Sequence, residues 1–419
     1  MALLAPSRAA RILIVDDSAV MRSLLRTVVI SDKRLEVAGT AIDGASALRA
    51  MDTLRPDLVL LDVEMPGMNG LQTLNEMRAK GIRVPVIMCS SLTQRGAKVT
   101  IDALASGAAD YVAKPAGQES REVATRTLVS DVVPKILALT AHATASHSGH
   151  APPAARSVFP FVSASTTTGP TLSQPILTPT KPSGAHPANS AAHAMFSGSQ
   201  PPLAQSNFPI PPAVVCIGVS TGGPAALDIL LPAIPAGFPL PILIVQHMPE
   251  LFTRLLAERL DTRCPLHVAE AAGGESVQPG NIYIAKGNWH MEVVAKERGS
   301  GGSIPAAIRL NQDEPENFCR PAADVLFRTA VGVYGGKVLG VVLTGMGYDG
   351  LIGSRLIREH NGTVIAQDQA TSTVWGMPGA VSQAGLAQRI LPLQGIASEI
   401  LRLVGRGQRE AVELRESVV

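Results

Sequence analysis

A long tract without periodicity and almost without charge divides this chain of 419 residues into two parts. From Thr140 to Pro212 the sequence consists mainly of Ala, Ser, Thr, Pro, His and Gly. Such a composition cannot bury enough apolar surface to offset the conformational entropy lost on ordering. We therefore predict a disordered linker over residues 139–212, between a folded domain at 9–138 and a second one at 213–405. A coil of ~65 residues spans roughly 45 Å, so the two domains would be free to dock or separate.

Charge, aromatic content and cysteine spacing indicate which partners and which cellular compartment to expect. The net charge is +2 and aromatic residues make up 3% of the chain, which argues against nucleic acid as a partner. The cysteines are scattered along the chain and form no CxxC pair; they are Cys89, Cys216, Cys264 and Cys319. We therefore expect them to be free, buried thiols in a reducing cytosol. The uncharged segment 229–245 is interrupted by prolines, so it cannot form a regular membrane-spanning helix. We expect a cytoplasmic monomer that does not insert into membranes.

In the first domain, apolar strand-like runs alternate with amphipathic helical stretches. The runs are residues 11–15, 35–40, 57–61, 84–89 and 111–113, and the helical stretches are 19–30, 45–54, 70–80, 96–105 and 120–139. Five βα units of this length predict a doubly wound, flavodoxin-like (βα)5 fold with a parallel sheet. Its functional site should lie at the carboxyl ends of the strands.

Polar residues follow those strands where each one ends. They are Asp16 and Asp17, Asp62, Ser90, and Lys114. Three carboxylates at one sheet edge repel each other unless a cation joins them, and their oxygens suit Mg²⁺. A lysine and a hydroxyl beside them predict transfer of a phosphoryl group onto one carboxylate. A single polar residue at a strand end is common, but the whole set in this order is specific.

This set, and the segment that carries it, resembles the receiver domain of bacterial response regulators. The resemblance implies that Asp62 accepts the phosphoryl group. It implies that Mg²⁺ is held by acidic side chains and one backbone oxygen, which are Asp16, Asp17, Asp62 and the Glu64 carbonyl. It further implies that Ser90 and Lys114 contact the phosphoryl group and that Tyr111 changes position on activation. Packing of Tyr111 on an edge strand remains an alternative.

In the second domain a glycine-rich turn follows an apolar strand. Residues 213–217 form the strand, Gly218-Val-Ser-Thr-Gly-Gly-Pro224 the turn, and a helix follows at residues 225–231. A serine in such a turn is where a fold exposes a nucleophile, because the glycines permit the turn and the helix N-terminus favours negative charge. A phosphate-binding loop or a plain turn would have the same local pattern. The remaining strand candidates, residues 242–246, 266–270, 282–285, 338–344 and 363–367, predict a three-layer α/β domain with a mostly parallel sheet.

Two more strand ends carry candidates for a catalytic triad with Ser220. His247 directly follows the strand at 242–246 and is preferred as general base over His290, which begins a later strand after a turn. Asp349 lies in the glycine-rich loop after residue 344 and would orient the histidine; an ordinary Asp-Gly turn is the alternative. Amides around Met346, together with Thr221 beside the serine, are candidates for contact with a developing oxyanion or with substrate.

Several motifs of this domain resemble one enzyme family. Ser-Thr-Gly-Gly-Pro at 220, Gln-His-Met-Pro at 246 and Gly-Met-Gly-Tyr-Asp-Gly at 345 are similar to the catalytic domain of the chemotaxis protein-glutamate methylesterases. Arg-Pro-Ala-Ala-Asp at 320 and Trp-Gly-Met-Pro-Gly at 375 extend the similarity. It implies hydrolysis of glutamate methyl esters on chemoreceptors, deamidation of receptor glutamines, no cofactor for hydrolysis, and activation when a chemotaxis histidine kinase phosphorylates the receiver.

Two other functions fit the same residues. In one, the second domain only binds a partner, with Ser220 in a ligand loop; in the other, it is a small-molecule esterase with a regulatory domain. The linker is long for the family, so we expect inhibition by the unphosphorylated receiver to persist but to be weaker.

Overall fold

The computed structural model describes residues 8–91, 93–115, 120–146, 210–296 and 305–416. Of residues 142–146 and 406–416 only the backbone is described. Most of the predicted linker lies outside these ranges. Residues 139–146, which we assigned to the linker, instead continue the last helix of the first domain, because the helical stretch predicted to end at residue 139 runs on to Ser146. The predicted domain limits otherwise stay a prediction.

The first domain is the predicted five-stranded parallel sheet. Its strands are β1 Ala10–Val15, β2 Leu35–Ala41, β3 Leu58–Asp62, β4 Val86–Ser90 and β5 Asp110–Ala113. They lie in the order β2-β1-β3-β4-β5, and all neighbours are parallel. The central strands β3 and β4 are buried along their whole length, as their uninterrupted apolar sequence requires of a sheet covered on both faces.

Five helices cover this sheet: α1 Ala19–Ile30, α2 Gly44–Leu54, α3 Gly70–Ala79, α4 Gln94–Ala105 and α5 Arg121–Ser146. The first four begin at a polar residue whose side chain accepts a hydrogen bond from the backbone of the first turn; these residues are Ser18, Asp43, Asn69 and Thr93. Each cap satisfies an amide that the helix itself leaves unpaired. The short loops after the strands are thereby fixed, and with them the polar residues at the strand ends.

The second domain contains a seven-stranded parallel sheet. Its strands are β6 Val214–Val219, β7 Ile242–Gln246, β8 His267–Glu270, β9 Asn281–Ile284, β12 Val338–Val342, β13 Thr363–Gln367 and β14 Arg389–Leu391. The order is β14-β13-β12-β6-β7-β9-β8. From β6 the chain continues to β7 on one side, whereas from the adjacent β12 it continues to β13 on the other side. Open α/β sheets bind their ligands at such a reversal of strand order. The predicted three-layer α/β class is confirmed.

Helices α6 Gly223–Leu230, α7 Glu250–Asp261, α8 Ala323–Tyr334, α9 Leu351–Glu359, α10 Met377–Gln383 and α11 Leu393–Glu416 belong to this domain. The strand predicted to begin at His290 is β10 His290–Ala295, and it pairs with β11 Ala306–Asn311, which the sequence did not reveal, in an antiparallel hairpin separate from the main sheet. Phe327 on α8 is fully buried. A Cβ on Gly218 would lie 2.8 Å from Ala323 Cβ, and one on Gly353 would lie 2.4 Å from Phe327 Cβ. Close helix packing at the site therefore depends on these glycines. No helix among the described residues is both long and apolar enough to cross a membrane.

Candidate functional site

The acidic residues of the first domain converge as predicted. Ligand oxygens of Asp16, Asp17 and Asp62 lie within 4.8 Å of one another. Lys114 Nζ lies 2.8 Å from Asp16 Oδ2 and 2.7 Å from Asp62 Oδ1. Burial raises the pKa of Asp62 to about 6; the hydrogen bond and charge of Lys114 oppose this shift, and Asp16 adds to it. Three carboxylates against one lysine leave excess negative charge, and their oxygens are the ligands that Mg²⁺ prefers. The residues present therefore fit a divalent cation.

The other candidates of this site lie beside the cluster. The backbone N–H of Glu64 donates to Asp62 Oδ1 at 3.2 Å. Ser90 is buried at the end of β4, and its hydroxyl donates to the Ser91 carbonyl at 3.1 Å. The Tyr111 ring is buried and stacks on Phe252 of α7, with ring centroids 4.5 Å apart. In this conformation Tyr111 contacts the second domain rather than solvent.

In the second domain, strand register brings Ser220 and His247 to one edge. Val219 of β6 pairs with Gln246 of β7, so the next residue of each strand lies at adjacent carboxyl ends. The Gln246 amide donates to the Ser220 carbonyl at 3.0 Å. A Cβ on Gly223 would lie 1.9 Å from Gln246 Oε1. The glycine is thus required for the glutamine side chain to pass beneath the serine turn.

His247 and Asp349 form a direct pair. His247 Nε2 lies 2.8 Å from Asp349 Oδ2. The carboxylate also accepts the backbone N–H of Ala323 at 2.6 Å and that of Asp324 at 3.0 Å, at the start of α8. Burial raises the pKa of Asp349, but the bonds to His247 and to these amides outweigh burial and lower it. The contact at Nε2 thereby fixes the orientation of the histidine ring.

Three residues that sequence reasoning did not select complete the surroundings of this pair. Asn317 Nδ2 donates to Asp349 Oδ1 and to Asp324 Oδ2, each at 2.9 Å. Asp324 is fully buried, and burial together with the charge of Asp349 raises its pKa to about 6. Cys319 Sγ lies 3.5 Å from His247 Nδ1. All four cysteines are free, but the expectation that they are buried is wrong for Cys264 and Cys319, which are partly exposed.

The His247 pKa reflects these contacts. Burial lowers it, but the hydrogen bonds to Asp349 and Cys319 outweigh burial and raise the pKa to about 10. The contacts with Asp349 and Cys319 thus favour the protonated imidazole in this conformation. His290, the other candidate base, is buried and occupied: its Nε2 faces the Glu314 carbonyl at 3.1 Å, and its Nδ1 accepts from the Ala322 amide at 3.3 Å. The contact with an acidic partner thus distinguishes His247.

Thr221 contacts the first domain: its hydroxyl donates to Asp110 Oδ2 at 2.6 Å. Met346 packs against an apolar cluster that joins residues of the first domain with Val374 of the second. Within the part of the chain that the structure describes, no acceptor for the Met346 amide is found, which leaves that N–H free to meet an oxyanion. Arg259 of α7 adds an ion pair at 2.7 Å with Asp102 of α4.

The fold and these sites define a response regulator in which a receiver domain precedes a parallel α/β domain. A response regulator receiver model matches residues 12–126, and a CheB methylesterase model matches residues 215–400. A protein-glutamate methylesterase/protein-glutamine glutaminase of a Nocardioides species is 43% identical over 94% of this chain and 96% of its own. One from Trichodesmium erythraeum is 42% identical over 94% and 99%. The Thermotoga maritima CheB methylesterase catalytic domain is 41% identical over 46% of this chain and 99% of its own, with a TM-score of 0.44.

The chain belongs to the protein-glutamate methylesterase/protein-glutamine glutaminase family. It is therefore an enzyme, a carboxylic ester hydrolase that carries a receiver domain.

Proposed function

We propose that this enzyme hydrolyses glutamate 5-methyl esters on methyl-accepting chemotaxis receptors and deamidates receptor glutamines. Ser220 is the nucleophile, His247 the general base and Asp349 the residue that orients it. The observation that carries the proposal is the 2.8 Å contact of His247 with Asp349 at the strand edge that Ser220 shares. Acyl transfer to a serine needs a nucleophile, a general base and a residue that orients the base.

The reaction runs in two halves. Ser220 Oγ attacks the ester carbonyl carbon while its proton passes to His247 Nδ1, and the Met346 amide donates to the oxyanion. Collapse of the tetrahedral intermediate breaks the carbon–methoxy bond, and the imidazolium returns the proton so that methanol leaves. Water then attacks the acyl-enzyme with His247 again as base, which frees Ser220 and leaves a glutamate carboxylate. A glutamine side chain follows the same course with ammonia as the leaving group.

We propose further that a chemotaxis histidine kinase phosphorylates the receiver at Asp62 and that this activates hydrolysis. Asp16, Asp17, Asp62 and the Glu64 carbonyl would hold Mg²⁺, which neutralises charge on the transferring phosphoryl group. Ser90 and Lys114 would contact the phosphoryl oxygens, and Tyr111 would leave its position against Phe252. One feature supports inhibition of the unphosphorylated form: the hydroxyl of Thr221, the residue after Ser220, donates to Asp110 of the receiver.

The test uses the full chain with receptor membranes whose glutamates carry radioactive methyl esters, and it measures methanol release. Ser220→Ala should reduce the rate by roughly 10⁴-fold or more, whereas Ser130→Ala, an exposed serine on α5, should not change it. Methanol release that survives Ser220→Ala would show that another residue is the nucleophile. Addition of Mg²⁺ and a small-molecule phosphodonor should raise the wild-type rate but not that of Asp62→Asn.

A further inference from the structure

Phe318 is the most exposed large apolar side chain among the described residues, with 97% of its surface accessible. It lies in the turn Glu316–Cys319, which follows the β10–β11 hairpin and precedes α8. The turn closes with two backbone hydrogen bonds, from Glu316 N–H to the Cys319 carbonyl at 3.1 Å and from Cys319 N–H to the Glu316 carbonyl at 2.9 Å. An aromatic ring in water at a tight turn has no structural role in the domain's own core.

The backbone of this turn is unusual for its residues. Asn317 has φ 54° and Phe318 has φ 63°, the left-handed pattern of a type I′ turn. Asn is well suited to the first central position, but the second is normally glycine, because a side chain there crowds the backbone. A bulky residue that keeps this conformation is a pattern associated with functional positions.

The residues next to Phe318 fix it relative to the catalytic residues. Arg328 of α8 forms two hydrogen bonds to the Glu316 carboxylate, at 2.9 and 2.8 Å. Asn317 donates to Asp349, and Cys319 lies against His247. The phenyl ring is thus held by a rigid turn, one residue away from a side chain that touches the catalytic histidine.

The receiver does not account for this exposure. Its polar and aromatic contacts go to Thr221, Phe252 and Arg259, and Phe318 stays accessible with the receiver docked. Tyr348, next to Asp349 in the chain, is also 41% exposed. Both aromatic side chains are thus next in sequence to residues of the His247–Asp349 network and stay accessible in the presence of the receiver.

We propose that Phe318 is the apolar docking point for the receptor segment that carries the substrate glutamate. This inference rests on the proposed function, since it assumes a protein substrate whose side chain reaches Ser220. Because Cys319, the residue after Phe318, contacts His247, an apolar side chain close to that glutamate in the substrate would contact Phe318 when the ester enters the site. Rigid aromatic side chains are the residues that most often dominate binding energy at interfaces.

The test separates docking from chemistry in the full-length enzyme. Phe318→Ala should raise KM for methylated receptor about tenfold or more, the effect expected for loss of an aromatic contact at an interface. It should leave kcat and the hydrolysis of p-nitrophenyl acetate within about twofold, because a small ester does not span the turn. Phe318→Tyr should restore KM, and Ile390→Ala, which removes an exposed apolar side chain on the edge strand β14, should leave KM unchanged.

An unchanged receptor KM in Phe318→Ala would overturn the docking role. So would an equal loss on receptor and on p-nitrophenyl acetate, which would show that the ring only supports the turn. Phe318→Gly suits the left-handed backbone, so it tests loss of the ring without strain, and it should behave like Phe318→Ala. A wild-type enzyme that hydrolyses p-nitrophenyl acetate but not receptor esters would instead refute the proposed function, and the docking role with it.

Discussion

The Thr221 hydroxyl donates a 2.6 Å hydrogen bond to the Asp110 carboxylate and so joins the residue beside the candidate nucleophile to the receiver. Both side chains are buried, so loss of the acceptor leaves a hydroxyl unsatisfied in the docked state. Asp110→Ala should therefore weaken docking and raise basal hydrolysis of p-nitrophenyl acetate, by roughly three- to tenfold for a bond of ~1 kcal/mol. Asp131→Ala, which removes an ion pair of Lys135 but no contact with Thr221, is the control. Equal basal rates in Asp110→Ala and wild type would argue against inhibition through this contact.

The side-chain amide of Asn317 donates to both Asp324 and Asp349, so its removal should lower the catalytic rate. Asn317→Gly keeps a residue that tolerates φ 54° and removes only these two bonds. We expect kcat to fall by roughly ten- to a hundredfold, since a misoriented Asp349 no longer fixes His247, while receptor KM stays unchanged. Asn311→Gly at the end of β11 is the matched control. A loss confined to KM would assign Asn317 to binding instead.

Cys319 should set the pH dependence of the rate. Hydrolysis needs neutral His247, so the rate rises as pH rises toward the raised pKa of this residue. Because the contact with Cys319 contributes to the raised value, Cys319→Ala should lower the pKa and shift the rising limb to lower pH. The pH profile for p-nitrophenyl acetate measures this shift, and Cys264→Ala serves as the control. An unshifted profile would mean that Asp349 alone controls the titration.

Asp62 should make the stability of the receiver depend on pH. Its ordinary pKa of 3.8 is raised to about 6 in the folded protein, so between these values the folded state binds more protons than the unfolded state. The free energy of unfolding therefore falls as pH rises from about 4 to about 6, by ~2–3 kcal/mol at most. Asp62→Asn should remove this slope and be more stable at pH 7. Mg²⁺ should stabilise wild type more than Asp62→Asn; denaturant melts with and without Mg²⁺ measure both effects.

Two phenylalanines provide a test of packing. Phe327 is fully buried and Phe318 is 97% exposed. Phe327→Ala should reduce the free energy of unfolding by ~3–5 kcal/mol because it leaves a cavity in the core. Phe318→Ala should change it by less than ~0.5 kcal/mol, as surface substitutions usually do. Comparable losses in urea titrations of the two variants would contradict the burial of one and the exposure of the other.

Strand ends were predictable from the sequence, because parallel strands that read as apolar runs bring their following residues to one edge. Asp62, Ser220 and His247 follow such runs directly. Strand β10 was predicted to begin at His290, but its partner β11 and the short strand β14 were missed. Asn317 and Cys319 were missed for another reason: their contacts with Asp349 and His247 arise from a turn with left-handed backbone and from tertiary packing. No local pattern specifies which distant residues such a turn will meet.

Strand β5 connects the two candidate sites, because a residue at each of its ends contacts one of them. Lys114 follows its carboxyl end and contacts Asp62, while Asp110 at its amino end binds Thr221. The strand comprises Asp110–Ala113, about 13 Å at ~3.3 Å per residue. An extended strand hydrogen-bonded to its neighbour neither stretches nor coils. We therefore expect a displacement of Lys114 to pass along this strand to Asp110 and to the Thr221 hydroxyl next to Ser220.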